Sequence, residues 1–323
     1  MCERASVPES LLAEGRAMAD ALSLDLAAAD TRVDRMLDTT LEPTARVTHR
    51  NITYHPITSA RAERETFLQL ASSADWTILI APESEGALGE RVAWTQRAGG
   101  QLWGPSAEVI ELTSDKHRLA SHLADAGIEV PHGTALAAGD SLPVDFPYPA
   151  VLKPRDGAGS QGMRQIDVHD PATTVPFNAR LEQLRAGQAA SVVILGGPVG
   201  LCPLPPCTQT LSADGQFTYL GGSLPLANSL ATRATRIACR AVAACGEMHG
   251  YVGVDLILGS RADEDCVIEI NPRLISSYLL LRRVAEENLA RSILAWRQGT
   301  GTPPVFADRH VEFSLPLHRE VTV

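Results

Sequence analysis

A chain of 323 residues with 45% hydrophobic and 20% charged side chains can bury one or two sizeable cores, and its composition excludes a disordered or fibrous protein. Its 28 basic and 38 acidic residues leave a net charge of −10, with no basic run or arginine stripe interleaved with aromatics, so neither nucleic acid nor an anionic membrane surface is an expected partner. The start, MCERASVPESLLAEG, has no basic segment followed by a long apolar run, and no stretch of about 18 uncharged apolar residues occurs, so the expected compartment is the cytoplasm.

Residues 8–27 carry a helical apolar period, and VTHRNITYHPI at 47–57 has strand composition. A helix is expected over 60–73, then a short buried strand at DWTILIA, 75–81, closed by Pro82, and a further helix over 86–98. Strands alternating with helices imply a small α/β domain over 1–112 with a mainly parallel sheet. Ligands of such sheets sit beyond the carboxyl ends of strands, which makes Glu83, Ser84 and Glu85 of APESEG candidates, with Glu83 or Glu85 holding a substrate ammonium. The alternative is that they open the next helix.

Thr113–Lys116 introduces a helix to about Ala126 with Ser or Thr as its cap, and YPAVLKP at 148–154 reads as a strand. The following GAGSQG, 157–162, matches the G-x-G-x-x-G pattern of a dinucleotide turn. MRQIDVHD, however, alternates at Ile166 and Val168 and continues as a short strand, whereas a Rossmann turn opens a helix there. The Walker A loop is excluded too, because the chain contains no Gly-Lys pair. A strand, a glycine loop and a second strand can still turn backbone N–H groups onto phosphate.

Arginine occurs 26 times and lysine twice, at Lys116 and Lys153. Lysine retained in an arginine-rich chain suits sites that need a compact ammonium at a phosphate; a coding bias with two survivors is the alternative. Lys153 stands immediately before the glycine loop. The six cysteines show neither C-x-x-C nor zinc-type spacing and are expected to be reduced and mostly buried.

YVGVDLIL at 251–258 and CVIEINP at 266–272 read as a hairpin about Ala262 that sets Asp255 opposite Glu269, with Asn271 on the same face. Like charges facing each other in otherwise apolar strands are destabilising. A divalent cation resolves the conflict, and two carboxylates with an amide oxygen suit Mg²⁺ completed by phosphates and water. An exposed acidic face with the register off by one is the alternative.

Together these stretches resemble the ATP-grasp ligases. The resemblance covers the chain to about residue 300 and rests on SDK (Lys116), VLKPRDGAGSQG (Lys153 and the flap), GVD (Asp255) and EINPR (Glu269, Asn271, Arg273). Within that family SLLAEGRAM, APESEG, RAGQAAS, YLGGSLPL, GYVGVDLIL and EINPRLISSY are most similar to tyramine–L-glutamate ligases and related proteins of methanofuran synthesis. It implies an ATP-grasp fold of α/β and α+β character: a pre-ATP-grasp domain over 1–112, a subdomain with the flap over 113–190, and a C-terminal subdomain with the metal site over 191–323.

It also implies roles. Lys116, Lys153, Gly157, Gly159, Ser160, Gln161, Gly162 and Glu182 would bind ATP. Asp255, Glu269 and Asn271 would hold Mg²⁺, with Mn²⁺ as the alternative metal. Arg273 and Lys153 would act catalytically, Arg273 on the transferred phosphoryl group. Ser276, Ser277 and Tyr278 begin SYLLLRRVAEENLARSILAW, read as one helix whose amide end would receive a substrate carboxylate; an ordinary helix start with a core tyrosine is the alternative.

The implied reaction joins a small-molecule acid to an amine, glutamate and a tyramine-like amine above others, releasing ADP and phosphate. A ligase for another amino acid or dipeptide and a catalytically silent ATP-binding module are the rivals, and the oligomeric state, a homodimer included, is left open. Three departures stand out. The chain begins almost at the first helix, so the family's opening strand is expected to be missing, a misassigned start being the alternative. The acidic residue that often holds the ribose falls on Ala189, and FNARLEQLRAG is less strand-like than the family leads one to expect.

Overall fold

The structure is a computed structural model that describes residues 9–39 and 46–315. The residues ahead of the first helix, where a missing strand was expected, and Cys2 lie outside the described residues. Helix α1 (Glu9–Ala28) buries Met18, Ala21, Leu22 and Leu26 at helical spacing. Strands β1 (Val33–Asp38) and β2 (Ile52–Ile57) pair in parallel, Val33 opposite Ile52. The strand expected over 47–57 begins only at Ile52, because a turn in which Ile52 N–H donates to the His49 carbonyl (3.0 Å) precedes it.

Helix α2 (Ala60–Ser73) coincides with its expected span; Ser59 caps it by accepting the Ala62 N–H, and Phe67 packs edge-on against Trp94. The segment 75–81 corrects an expectation. It is extended but forms a single parallel bridge, Thr77 to Leu102, with Thr77 N–H donating to Gln101 O (2.7 Å) and Trp103 N–H to Thr77 O (2.8 Å). Ile78 and Ile80 are held by the core against which they pack, so hydrophobic burial rather than a ladder keeps the segment straight.

A 3₁₀ turn at Ser84–Gly86 leads into α3 (Ala87–Arg97), followed by α4 (Ala107–Thr113), a helix that periodicity missed, and α5 (Lys116–Asp125). The cap of α5 is Asp115 rather than Ser or Thr: its carboxylate accepts the His117 and Arg118 N–H groups.

Strands β3 (Gly133–Leu136), β4 (Ala150–Pro154), β5 (Arg164–Ile166) and β6 (Ala179–Gln183) form an antiparallel sheet in the order β3-β6-β4-β5. β4 and β5 are the two arms of the glycine loop, so the strand after Gly162 is real and the dinucleotide turn is excluded. β6 lies in the sheet interior despite its weak strand composition, because its Arg180 and Glu182 are buried as a mutual ion pair.

The chain continues through β7 (Gln188–Gly197), β8 (Gly200–Pro203), β9 (Cys207–Thr208), β10 (Thr210–Leu211), β11 (Tyr219–Leu224), α6 (Asn228–Ala244), β12 (Gly250–Leu258) and β13 (Cys266–Asn271). The main sheet runs β13-β12-β7-β8 with β9 added to β7. Ala190, Val192 and Ile194 of β7 face the core under α6, while Val193 and Leu195 face the core shared with α1. Residues at the other end of β7 and β12, Ala189, Ser191 and Asp255, open instead onto a cavity.

The long helix expected from Ser277 is two helices, α7 (Tyr278–Val284) and α8 (Leu289–Arg297). Ala285 turns extended (ψ 132°), Glu286 N–H donates to Val305 O and Ala307 N–H to Val284 O, and Asn288 caps α8. A strand-like contact with the tail thus overrides helical propensity. Strand β14 (Val311–Ser314) then joins β11. Among the described residues no helix is long and apolar enough to cross a membrane.

Candidate active site

A cavity of about 1030 Å³ lies between the two larger sheets, walled by the 156–161 loop, the end of β4, β12 and β13, the β10–β11 connection and the N-terminal half of α1. Each wall brings a different chemistry.

Pro154 closes β4 immediately after Lys153, whose side chain is 1% exposed. Its ammonium is ion-paired with Glu182 Oε1 (2.5 Å) and makes no further hydrogen bond among the described residues, so it keeps N–H groups for another acceptor. A buried ammonium so placed is ready for an anion. Glu182 stands behind it and is shared: Arg180 Nε donates to Oε2 (2.8 Å), and the same guanidinium donates to Pro131 O (2.7 Å) and meets His117 Nδ1 (3.1 Å). Arg180 therefore keeps Glu182 compensated whichever way Lys153 points.

Arg180 needs an acceptor on His117, so the imidazole is neutral there. Burial and then the Arg180 and Arg155 charges hold it below its ordinary value of 6.5. The unfolded chain therefore takes up this proton first, and stability is lost as pH falls below about 6.5. In urea denaturation the wild-type midpoint should fall between pH 7 and 5 more steeply than that of His117→Gln, which cannot be protonated; parallel curves would remove His117 from the network.

Lys116 opens α5, fixed by its backbone N–H to Arg155 O (2.8 Å). Its Nζ donates to the Gly157 carbonyl (2.7 Å) and lies 3.1 Å from Glu269 Oε2. Burial alone would weaken the ammonium, but the Glu269 and Glu83 carboxylates outweigh it and raise its pKa.

Asp255 and Glu269 face each other in register, with a bulge directly after Asp255. Burial, and then the neighbouring Glu269 charge, push the Asp255 carboxyl well above the usual range. Burial acts on Glu269 in the same sense, yet Lys116 and Lys153 override it and hold Glu269 ionised. Asp255 accepts from Gln209 Nε2 (2.8 Å) and from Asn271 Nδ2 (2.9 Å). Among the described residues no three His, Cys, Asp or Glu side chains form an all-protein metal cage. The Asp255–Glu269–Asn271 oxygens fit a hard cation that takes its other ligands from phosphate and water.

The loop over the cavity depends on left-handed backbone at Gly157 (φ 123°) and Gly159 (φ 67°), and a Cβ on Gly159 would approach Leu11 Cδ1 of α1 to 3.2 Å. Ser160 Oγ donates to Phe217 O (2.7 Å), and the Glu85 N–H donates to Asp156 (3.0 Å). Gln161 lines the cavity, whereas Gly162 packs behind the loop against Pro154 and Phe177.

Arg273 reaches the cavity from the end of β13. Glu83 grips it through Nε (2.9 Å) and Nη2 (3.1 Å), so both Glu83 oxygens are engaged by the guanidinium rather than left for an ammonium. Glu85 is exposed outside the cavity wall. Ser276 and Ser277 line the cavity, and the buried Ser277 hydroxyl lies beside that of Tyr251. Tyr278 turns away, its hydroxyl donating to Asp25 (2.6 Å), and α7 spans only seven residues.

The lysines, loop, metal-type oxygens and arginine thus share one cavity, in chain order. The family model described as an ATP-grasp domain matches residues 113–277, just over half of the sequence. The chain belongs to the ATP-grasp family. A second model, the pre ATP-grasp 3 domain, matches residues 32–110 of this ATP-grasp chain. Among curated proteins it is similar to tyramine–L-glutamate ligase of Methanocaldococcus fervens, 26% identical over 68% of this chain and 65% of the relative. It is similar also to the enzyme of the same name from Methanocaldococcus jannaschii, 24% identical over 64% and 58%. The chain thus matches less than two thirds of the length of either relative. An ATP-grasp superfamily protein of Archaeoglobus fulgidus shares the fold, with a TM-score of 0.69 at 20% identity over 90% of this chain and 85% of that one.

Sequence reading missed three residues of this site. Arg180 left a signal, a second charge two positions from Glu182 on one strand face. Glu14, which lines the cavity from α1, left another, an acid on an apolar helix stripe. Gln209 left none, because only the turn after β9 brings it to Asp255.

Proposed function

We propose that this ATP-grasp protein is an ADP-forming carboxylate–amine ligase that joins a small-molecule acid to an amine, with glutamate and a tyramine-like amine as the favoured pair. The observation that carries this reading is the convergence of Lys116 and Lys153 on the in-register Asp255–Glu269 pair beneath the glycine loop. The names of the two curated relatives favour the acid and the amine.

Bound Mg-ATP would supply the γ-phosphoryl group that turns the acid's carboxylate into an acyl phosphate, which the amine attacks. Lys116 and Lys153 neutralise phosphate charge, with Lys116 exchanging its hold on Gly157 O for a phosphate oxygen. Glu182 positions Lys153 from behind. Asp255, Glu269 and Asn271 would hold Mg²⁺, or Mn²⁺ in its place. The backbone of Gly157, Gly159, Ser160 and Gln161 covers the nucleotide and excludes water, with Gly162 as the return of the loop. Arg273, clamped by Glu83, offers its remaining N–H groups to the transferred phosphoryl group, and Ser276 and Ser277 meet the acid's oxygens. The 113–190 and 191–323 segments would then close on the nucleotide from its two sides, with 1–112 adding α1 and Glu83.

The alternative of a silent ATP-binding module draws on Ala189, which brings no carboxylate to the cavity wall it lines. Phosphate release from ATP over a panel of acids and amines separates the two. Release that requires both an acid and an amine, greatest with glutamate and tyramine, is expected; ATP binding without release under any pair would establish the silent module.

A further inference from the structure

Helix α1 turns one stripe inward, and that stripe carries two acids. Met18, Leu22 and Leu26 on it are buried, and Glu14 and Asp25 fall on the same face at helical spacing. Asp25 is fully engaged, accepting from the Tyr278 hydroxyl and twice from the Arg282 guanidinium. Glu14 is half-buried and lines the cavity, yet its carboxylate makes no hydrogen bond or ion pair among the described residues. The arginines nearest in sequence on this wall, Arg16 and Arg35, reach Asp20 instead.

A carboxylate on an apolar face with no cation of its own costs stability, and one directed into a cavity is compensated by what enters the cavity. The remaining wall says what that is. Leu11 and Met18 flank Glu14 within a helical turn, and Phe217, Tyr219 and Ile80 line the same space. Arg273 and the Ser276 and Ser277 hydroxyls form a part of the cavity suited to anions, and the Glu14 charge reaches Arg273 and Tyr219. A cavity with an anion-binding part, the Glu14 carboxylate without an ion pair among the described residues and apolar walls between suits an acid and a cationic, apolar-bodied amine side by side.

We propose that Glu14 holds the ammonium group of the acceptor, a primary amine with an apolar body, and takes the proton this nitrogen must lose before it attacks the acyl phosphate, whose phosphate leaves as the amide forms; Glu14 so determines that the acceptor is bound as a cation. This rests on the ligase reading above and names the residue behind its amine specificity.

The test is steady-state phosphate release at saturating ATP, with glutamate and tyramine varied in turn, for wild type, Glu14→Gln and Glu14→Asp. Loss of a charged hydrogen-bond partner should raise the tyramine KM of Glu14→Gln about 10- to 100-fold. The KM values for ATP and glutamate should stay unchanged, and Glu14→Asp should recover part of the loss. Tyrosol, the uncharged hydroxyl analogue of tyramine, should inhibit wild type and Glu14→Gln equally. An unchanged tyramine KM, or a rise in the glutamate KM instead, overturns the assignment. If no pair supports release, the ligase reading fails by itself, and calorimetric binding of tyramine to wild type and Glu14→Gln decides the role of Glu14. Weaker binding to the variant then upholds it, and equal or absent binding overturns it.

Discussion

Replacing Glu269 with Gln should lower metal-dependent phosphate release about 10²- to 10³-fold and leave the protein folded. Glutamine keeps the shape of the side chain, so the β12–β13 pairing and the packing beneath it are preserved. What changes is charge. Glu269 is the acid on which Lys116 and Lys153 converge, and those two ammoniums keep it ionised although it is half-buried. Without its charge the proposed metal site would lose a carboxylate, and Lys116 loses the acceptor that aims it across the cavity. Asp255 should move back toward an ordinary carboxylate, because the Glu269 charge is a main reason, after burial, that its proton is held. The measurements are phosphate release against Mg²⁺ concentration and the Mg²⁺-induced rise in melting temperature. Both should be lost in the variant, and release that survives undiminished would refute the metal assignment.

Asp25→Ala should destabilise the protein by about 2–3 kcal/mol, less than the loss of one partner from a fully buried ion pair because Arg282 is 32% exposed. Asp25 is 14% exposed and gathers the Tyr278 hydroxyl, two Arg282 donors and, through its backbone carbonyl, Asn288. Removing the carboxylate leaves the buried phenol with nothing to accept from it and a half-buried guanidinium that only water can satisfy. Tyr278→Phe removes one neutral donor and should cost only about 1 kcal/mol. The two variants can be ranked from urea denaturation midpoints; equal losses would show that Arg282 contributes nothing at this contact. Because α1 also carries Glu14 and meets the loop through Leu11 and Gly159, a loosened α1 should weaken the site as well as the fold.

Much of the site was legible because its signals are local. A lysine before glycines, a strand after them and two acids at matching distances from a turn are all written within a few residues of one another. The Asp255–Glu269 register follows from counting back from Ala262, and the structure keeps it even though 262–264 form a 3₁₀ turn rather than a tight hairpin. Helix α2 was legible for the same reason, since its period and its Ser59 cap lie in one short run.

Other features were decided by packing alone. Glu83 meets Arg273 across 190 residues, and Asp25 meets Arg282 across 257, distances over which no periodicity carries information. The first contact turns a candidate ammonium site into the clamp of an arginine. The second turns Tyr278 away from the cavity. The run from 75 to 81 has the composition of a strand, but whether it pairs depends on a neighbour that only the fold supplies, and at Thr77 the fold supplies a single bridge. The run after Ser277 has a helical period throughout, yet the backbone groups of Val284 and Glu286 find partners in the tail, and those bonds end the helix. The sequence by itself determined the family, the loop between two strands and the facing acids, and singled out the two lysines that the cavity brings together, because these are patterns among near neighbours. The tertiary structure alone decided which acids remain free in the cavity, since a charge is free or engaged only with respect to what is packed against it.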